Sequence, residues 1–178
     1  MKTREAALTG VMAAGMAVCA WISVPGPVPF TLQTMGVFLA VGLLGGRLGS
    51  LAVGAYLLLG AVGLPVFSGF SGGVASFAGP TGGYLVGFLL IALVMWGLEF
   101  LWGRGRAAYF VSGAAGLAVC YLFGTVWYMV LYSAAGKPAE LFTVLSWCVF
   151  PFILPDLLKL TLAFVLKERL RSALKRQG

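Results

Sequence analysis

Residues 65–83 read Pro65-Val66-Phe67-Ser68-Gly69-Phe70-Ser71-Gly72-Gly73-Val74-Ala75-Ser76-Phe77-Ala78-Gly79-Pro80-Thr81-Gly82-Gly83. The run is uncharged and long enough to cross a bilayer, whose core of about 30 Å takes roughly twenty helical residues. Its two prolines and six glycines nevertheless oppose a helix. Reading it as an irregular loop leaves six uncharged runs of spanning length, bounded by charges and Gly/Pro clusters. They run from about Ala6 to Val24, Phe30 to Gly46, Leu48 to Leu64, Tyr84 to Trp102, Ala107 to Ala135, and Leu141 to Leu166.

Charge gives an independent test, because Lys and Arg accumulate on the cytoplasmic side. With six spans the cytoplasmic segments hold Lys2 and Arg4, then Arg47, then Arg104 and Arg106, then Lys167, Arg169, Arg171, Lys175 and Arg176. The outer loops hold only Lys137. A seventh span would place the basic tail outside. The expectation is therefore an all-α, multi-pass integral membrane protein with six transmembrane helices and both termini cytoplasmic. Its Gly/Pro-rich outer segments, Pro25 to Gln33 and Pro65 to Gly83, fold over a binding cavity, since unpaired backbone cannot face lipid.

Composition agrees. The chain has 178 residues, 61% of them hydrophobic and 10% charged, with no histidine and a formal net charge of +7. This leaves no room for a second, soluble domain, so residues 1–178 form one domain embedded in the lipid bilayer. The absence of histidine excludes His-ligated metals and Ser-His or Cys-His nucleophiles. Neither a metal nor a cofactor is expected. The basic residues cluster at chain ends and turns without forming a stripe, so nucleic acid is not an expected partner. Cys19, Cys120 and Cys148 lie in apolar stretches without CxxC spacing and read as small lipid- or core-facing residues. The N-terminal run is read as a retained first helix, because no small-x-small cleavage site interrupts it before Pro25.

The candidate site begins with Asp156 and Lys159, the one opposite-charge pair placed deep in a span. Three residues apart, they share a helix face. Each isolated charge at that depth costs about 3 kcal/mol, and charges retained at such a cost usually face a cavity or a partner. The pair can hold a ligand, the ammonium taking an anionic group and the carboxylate accepting from N–H donors. The competing reading is an ion pair that only neutralises itself and sets helix packing. Pro151 and Pro155 kink or start the helix beside the pair.

Thr31, Gln33 and Thr34 form a polar triplet after three prolines, and Phe67, Ser68 and Tyr84 flank glycines that let backbone approach a ligand closely. Trp127 and Tyr128 are the fifth-span aromatics able to line the pocket, while Tyr121 and Tyr132 read as interfacial or packing residues. Glu99 reads as a snorkelling charge near Arg104 and Arg106. Small residues at Ala6, Gly10 and Ala14, and at Ala13 and Ala17, make a shallow groove for helix packing, internal or against a partner.

The run Pro27-Val28-Pro29-Phe30-Thr31-Leu32-Gln33-Thr34, the stretch Gly63-Leu64-Pro65-Val66-Phe67 with Gly72-Gly73, the segment Gly79-Pro80-Thr81-Gly82-Gly83-Tyr84-Leu85, and Pro151-Phe152 followed by Pro155-Asp156 and Lys159 together resemble the BioY family. These are the biotin-binding S components of energy-coupling factor (ECF) transporters of prokaryotic cell membranes. The resemblance covers essentially the whole chain. It implies capture of biotin from outside and toppling of the subunit in the membrane to deliver it. It also implies a separate module of a transmembrane coupling protein and two cytoplasmic ATPases, so no enzyme activity is expected here. The ligand set it implies is Asp156, Lys159, Tyr84, Phe67, Ser68, Gln33, Thr31 and Trp127, with Gly10, Ala14, Ala13 and Ala17 toward the coupling protein. One departure is that this chain has no Asn, which family members can use in the third loop; Ser68, Ser71 or backbone amides stand in for it. Two other classes stay open: an S component for another vitamin, which for cationic thiamine Lys159 disfavours, and an intramembrane enzyme using Asp156, which lacks a second catalytic group nearby.

Overall fold

The computed structural model describes residues 2–26, 28–136 and 140–176, with side chains to Ser172 in the last helix. Two expectations, the outward Lys137 and the Pro27 that opens the first loop motif, lie outside the described residues. Helix α1 spans Thr3–Trp21 and leads into two short antiparallel strands, β1 at Ser23–Val24 and β2 at Phe30–Thr31, with Ser23 opposite Thr31. Helices α2 (Gln33–Leu44) and α3 (Gly46–Ala61) follow, then an irregular segment holding a 3-10 turn at Ser68–Phe70 and a single helical turn, α4, at Ala75–Ala78. The remainder is α5 (Gly82–Trp102), α6 (Arg106–Ala134), α7 (Leu141–Cys148) and α8 (Phe150–Arg176).

Residues 65–83 thus stay irregular apart from those two turns, as their glycines and prolines require. Among the described residues, α5, α6 and the α7–α8 run over 141–172 are long and apolar enough to cross a membrane. The second span is shorter than expected, because Phe30 and Thr31 pair with α1's exit instead of joining the helix. At 12 residues, α2 covers only about 18 Å of depth. That leaves space at one end of the bundle, which the hairpin and the 65–83 segment fill. Trp21 ties the two together, donating its indole N–H to the Pro65 carbonyl at 2.9 Å and stacking on Phe70 at 5.2 Å.

The sixth span, expected from Leu141 to Leu166 in one piece, is broken at Val149, where φ is −124° and ψ −60°. Pro151 lacks an N–H and sits in the first turn of α8, where none is needed, whereas Pro155 lies inside the helix. Beyond the break α8 is inverted relative to a soluble helix. Asp156 and Lys159 are buried, while Leu154 and Leu158 are 78% and 59% exposed. Such outward leucines, with Phe100 and Leu122 on α5 and α6, form a lipid-facing coat.

Helices α2 and α3 reverse at Gly45, whose φ of +86° suits glycine. Arg104 packs against Gly45. Glu99 does more than snorkel: its Oε1 pairs with Arg104 at 2.7 Å, and its Oε2 accepts the Gly46 N–H at 2.9 Å, satisfying an orphan donor at the start of α3. Helices α5 and α6 form the most intimate pairing, with Gly87 directly against Cys120. Cys120 and Cys148 are buried and Cys19 half-buried, all as free thiols. On α1 the small residues divide: Ala13 and Ala17 are buried, whereas Gly10 and Ala14 are exposed.

Candidate ligand-binding site

The buried charges organise one end of a polar network. Asp156 Oδ1 accepts from the Thr34 hydroxyl at 2.9 Å and from Lys159 Nζ at 2.8 Å. Its Oδ2 accepts from the Tyr121 hydroxyl at 2.6 Å. A carboxylate has about four lone-pair positions, so three are occupied. Lys159 Nζ also lies 4.0 Å from the centroid of the Phe30 ring. Of its three N–H groups one goes to Asp156, and the described residues supply no hydrogen-bond acceptor for the others. Buried charges need excellent geometry and satisfied neighbours to offset desolvation. The carboxylate has them, and the ammonium is left with capacity toward the cavity it lines.

That cavity has two adjoining lobes that share walls. The smaller, about 50 Å³, is bounded by Asp156, Lys159, Thr34, Tyr121 and Phe152. The larger, about 210 Å³, lies under the 65–83 segment and is lined by Gln33, Phe67, Ser68, Ser71 and Leu85 among others. Val28, Pro29, Thr31, Tyr84 and Phe88 line both lobes. Each lobe alone falls below the roughly 300 Å³ at the lower end of small-molecule sites.

The walls are stiff for identifiable reasons. The Thr31 hydroxyl donates to Gln33 Oε1 at 2.9 Å, Gln33 Nε2 donates to the Tyr56 hydroxyl at 2.6 Å, and Tyr56 in turn donates to the Val66 carbonyl at 3.0 Å. This chain ties the hairpin to the 65–83 segment. Phe67 is wedged edge-on between Tyr56 and Phe77, each with a centroid distance of 5.5 Å. The Ser71 hydroxyl is spent on the Ser68 carbonyl at 2.8 Å, closing a local turn. Tyr84 is 3.4 Å from the Thr125 hydroxyl, across the α5–α6 contact.

Seven of the eight ligand residues expected from sequence therefore meet at one cavity: Asp156, Lys159, Tyr84, Phe67, Ser68, Gln33 and Thr31. Trp127 is placed differently. Among the residues lining the two lobes it is absent, and it donates its indole N–H to the Gly79 carbonyl at 3.1 Å, anchoring the roof from α6. Tyr128 stacks on Tyr132 at 4.4 Å. Thr34, read from sequence only as part of the polar triplet, proves to bond Asp156, and Tyr121, Phe30, Phe88 and Phe152 were not expected beside the cavity. Phe88 lies four after Tyr84 and Phe152 four before Asp156, so same-face spacing carried a signal for both. Nothing local marked Tyr121, which meets Asp156 from 35 residues away.

A family model described as "BioY family" matches residues 1–176. A protein of Thermotoga maritima named biotin transporter BioY is 44% identical over 170 residues, covering 95% of this chain and 96% of its own length. A probable biotin transporter BioY of Pyrococcus horikoshii is 44% identical over 173 residues, covering 97% and 99%. A crystal structure of the S-component for biotin from an ECF-type ABC transporter superposes with a TM-score of 0.82 at 30% identity, covering 96% of this chain and 92% of that one.

Proposed function

The chain belongs to the BioY family, and from that membership we propose that it is the biotin-binding membrane subunit of an ECF-type uptake transporter. The observation that carries the reading is the buried Lys159, a cation with unused donors beside a bound carboxylate, opening onto a cavity with aromatic walls. Asp156, Lys159, Tyr84, Phe67, Ser68, Gln33 and Thr31 contact the ligand in this reading, and Trp127 supports the roof.

The geometry favours one orientation. Lys159 and Asp156 are 2.8 Å apart, so one polar end of a ligand meets both. A ureido group offers a C=O acceptor for Lys159 beside N–H donors for Asp156. A ligand carboxylate placed there would gain from Lys159 and lose to Asp156, each about 4 kcal/mol at 4 Å with an effective dielectric of 20, so the two nearly cancel, whereas a ureido group satisfies both partners without a like-charge contact. The ureido ring therefore sits at the pair. The carboxylate points toward the larger lobe, where Ser68, Thr31 and the loop backbone are polar.

Arg104, Lys167 and Arg171 cluster at the end of the bundle away from the cavity, and Arg47 follows the Gly45 turn that Arg104 packs against, which supports a cytoplasmic position for that end and for both termini in the cell membrane. Residues 1–178 act as one unit, with ATP hydrolysis left to two partner ATPases coupled through a membrane protein. The exposed Gly10 and Ala14 of α1 face that coupling protein, while the buried Ala13 and Ala17 serve internal packing.

Binding of radiolabelled biotin, biotin methyl ester and thiamine by the purified chain tests the reading. Biotin should bind, thiamine should not, and the ester's loss of affinity should be the same in wild type and Lys159→Ala, since independent sites add. Retention of thiamine instead of biotin refutes the ligand. An ester penalty that vanishes in Lys159→Ala refutes the orientation.

A further inference from the structure

Outside the site, an open groove of about 650 Å³ runs down the lipid-facing side between α1, α3 and α5. Its chemistry changes in order along α3. Arg47 stands at the start, Ser50 one turn on, Gly54 a further turn on and Leu58 at the far end, about 16 Å away at 1.5 Å per residue. That is about the depth of one leaflet of a 30 Å core. Trp96 of α5 lies at the Arg47 end, and Leu89 and Leu93 line the apolar part. Thr9 of α1 and Ser50 of α3 line the groove, and their buried hydroxyls have no hydrogen-bond partner among the described residues. Arg47 has no carboxylate within 4 Å among the described residues, unlike Arg104, Lys159 and Lys167.

We propose that this groove is a binding site for one anionic phospholipid. Its phosphate pairs with Arg47, its ester carbonyls accept from Thr9 and Ser50, and an acyl chain lies over Gly54 toward Leu58. The sequence cation, hydroxyls, apolar trough repeats the order phosphate, esters, acyl chain. A transmembrane helix of a protein partner matches it less well, because its backbone carbonyls are already bonded within the helix and offer little to both hydroxyls.

Native mass spectrometry of the detergent-purified chain, incubated with equimolar phosphatidylglycerol and phosphatidylcholine, tests this. One phosphatidylglycerol should be retained in preference by about fivefold, the effect of one basic residue at a membrane surface. Arg47→Gln should abolish the preference and Arg47→Lys should keep most of it. A Cβ at Gly54 meets nothing within 4 Å, so a larger side chain there starts in open space, and Gly54→Phe should fill the trough and reduce retention of both lipids. An unchanged helical circular dichroism signal controls for folding. Equal retention of the two lipids by the wild type, or a preference that survives Arg47→Gln, overturns the proposal. So does Gly54→Phe losing co-purification with a coupling protein while retaining lipid, which assigns the groove to a protein.

Discussion

Removing the two members of the buried pair singly and together separates their role in folding from their role in binding. Lys159→Met leaves the Asp156 carboxylate buried but still accepting from Thr34 and Tyr121. Breaking a buried pair costs about 3–5 kcal/mol, and the two surviving bonds place this variant near the lower end. Asp156→Leu leaves the ammonium with the Phe30 ring, an attraction of about 2 kcal/mol when desolvated, and places that variant near the upper end. Replacing both charges removes the desolvation of each, an exchange that is neutral or favourable by about 1–4 kcal/mol. It also orphans the Thr34 and Tyr121 hydroxyls at about 1–3 kcal/mol each. The double variant should therefore be less destabilised than the sum of the singles by about 2 kcal/mol or more. Unfolding in mixed detergent micelles measures the stabilities, and radiolabelled biotin binding is measured on the same preparations. The double variant should be folded and unable to bind. Additive stability losses would refute the ion-pair energetics, and a double variant with wild-type affinity would return the pair to a purely structural role.

Tyr121→Phe deletes the 2.6 Å bond to Asp156 while keeping the ring, so biotin affinity should fall by about tenfold, one charged hydrogen bond of about 1.5 kcal/mol, by equilibrium dialysis; unchanged affinity would exclude the tyrosine from positioning the carboxylate. Gly10→Leu should leave biotin binding intact and abolish co-purification with the coupling module, whereas Ala13→Leu should overpack the core at about 1–3 kcal/mol and weaken folding and binding together. Identical behaviour of the two variants would refute the division of α1 into outer and inner faces. In a background lacking Cys19, Cys120 and Cys148, a cysteine at Ser71 should react with an impermeant maleimide from outside intact cells and one at Arg171 should not; the reverse pattern would invert the topology.

Membrane residence, the irregular 65–83 segment and the Asp156–Lys159 pair were legible in the sequence, because each rests on a local property. Hydropathy decides the medium, glycine and proline act on their own backbone, and a spacing of three puts two side chains on one helical face. Gln33, Phe67 and Ser68 line the larger lobe, and Thr31 and Tyr84 line both it and the lobe that holds the pair. The tertiary structure decided what rests on non-local contact. Thr34 and Tyr121 reach Asp156 across 122 and 35 residues, and Trp127 reaches Gly79 across 48. No periodicity encodes such meetings, since they depend on how helices rotate and how deeply they sit. The same rotation buried Ala13 and Ala17 while exposing Gly10 and Ala14, although both pairs share the same four-residue spacing. Pairing of Ser23 with Thr31 shortened α2, and the break at Val149 started α8 just before the pair. Depth, rotation and helix breaks set which of several equivalent polar residues face one another, and they follow from packing rather than from any one segment's propensity.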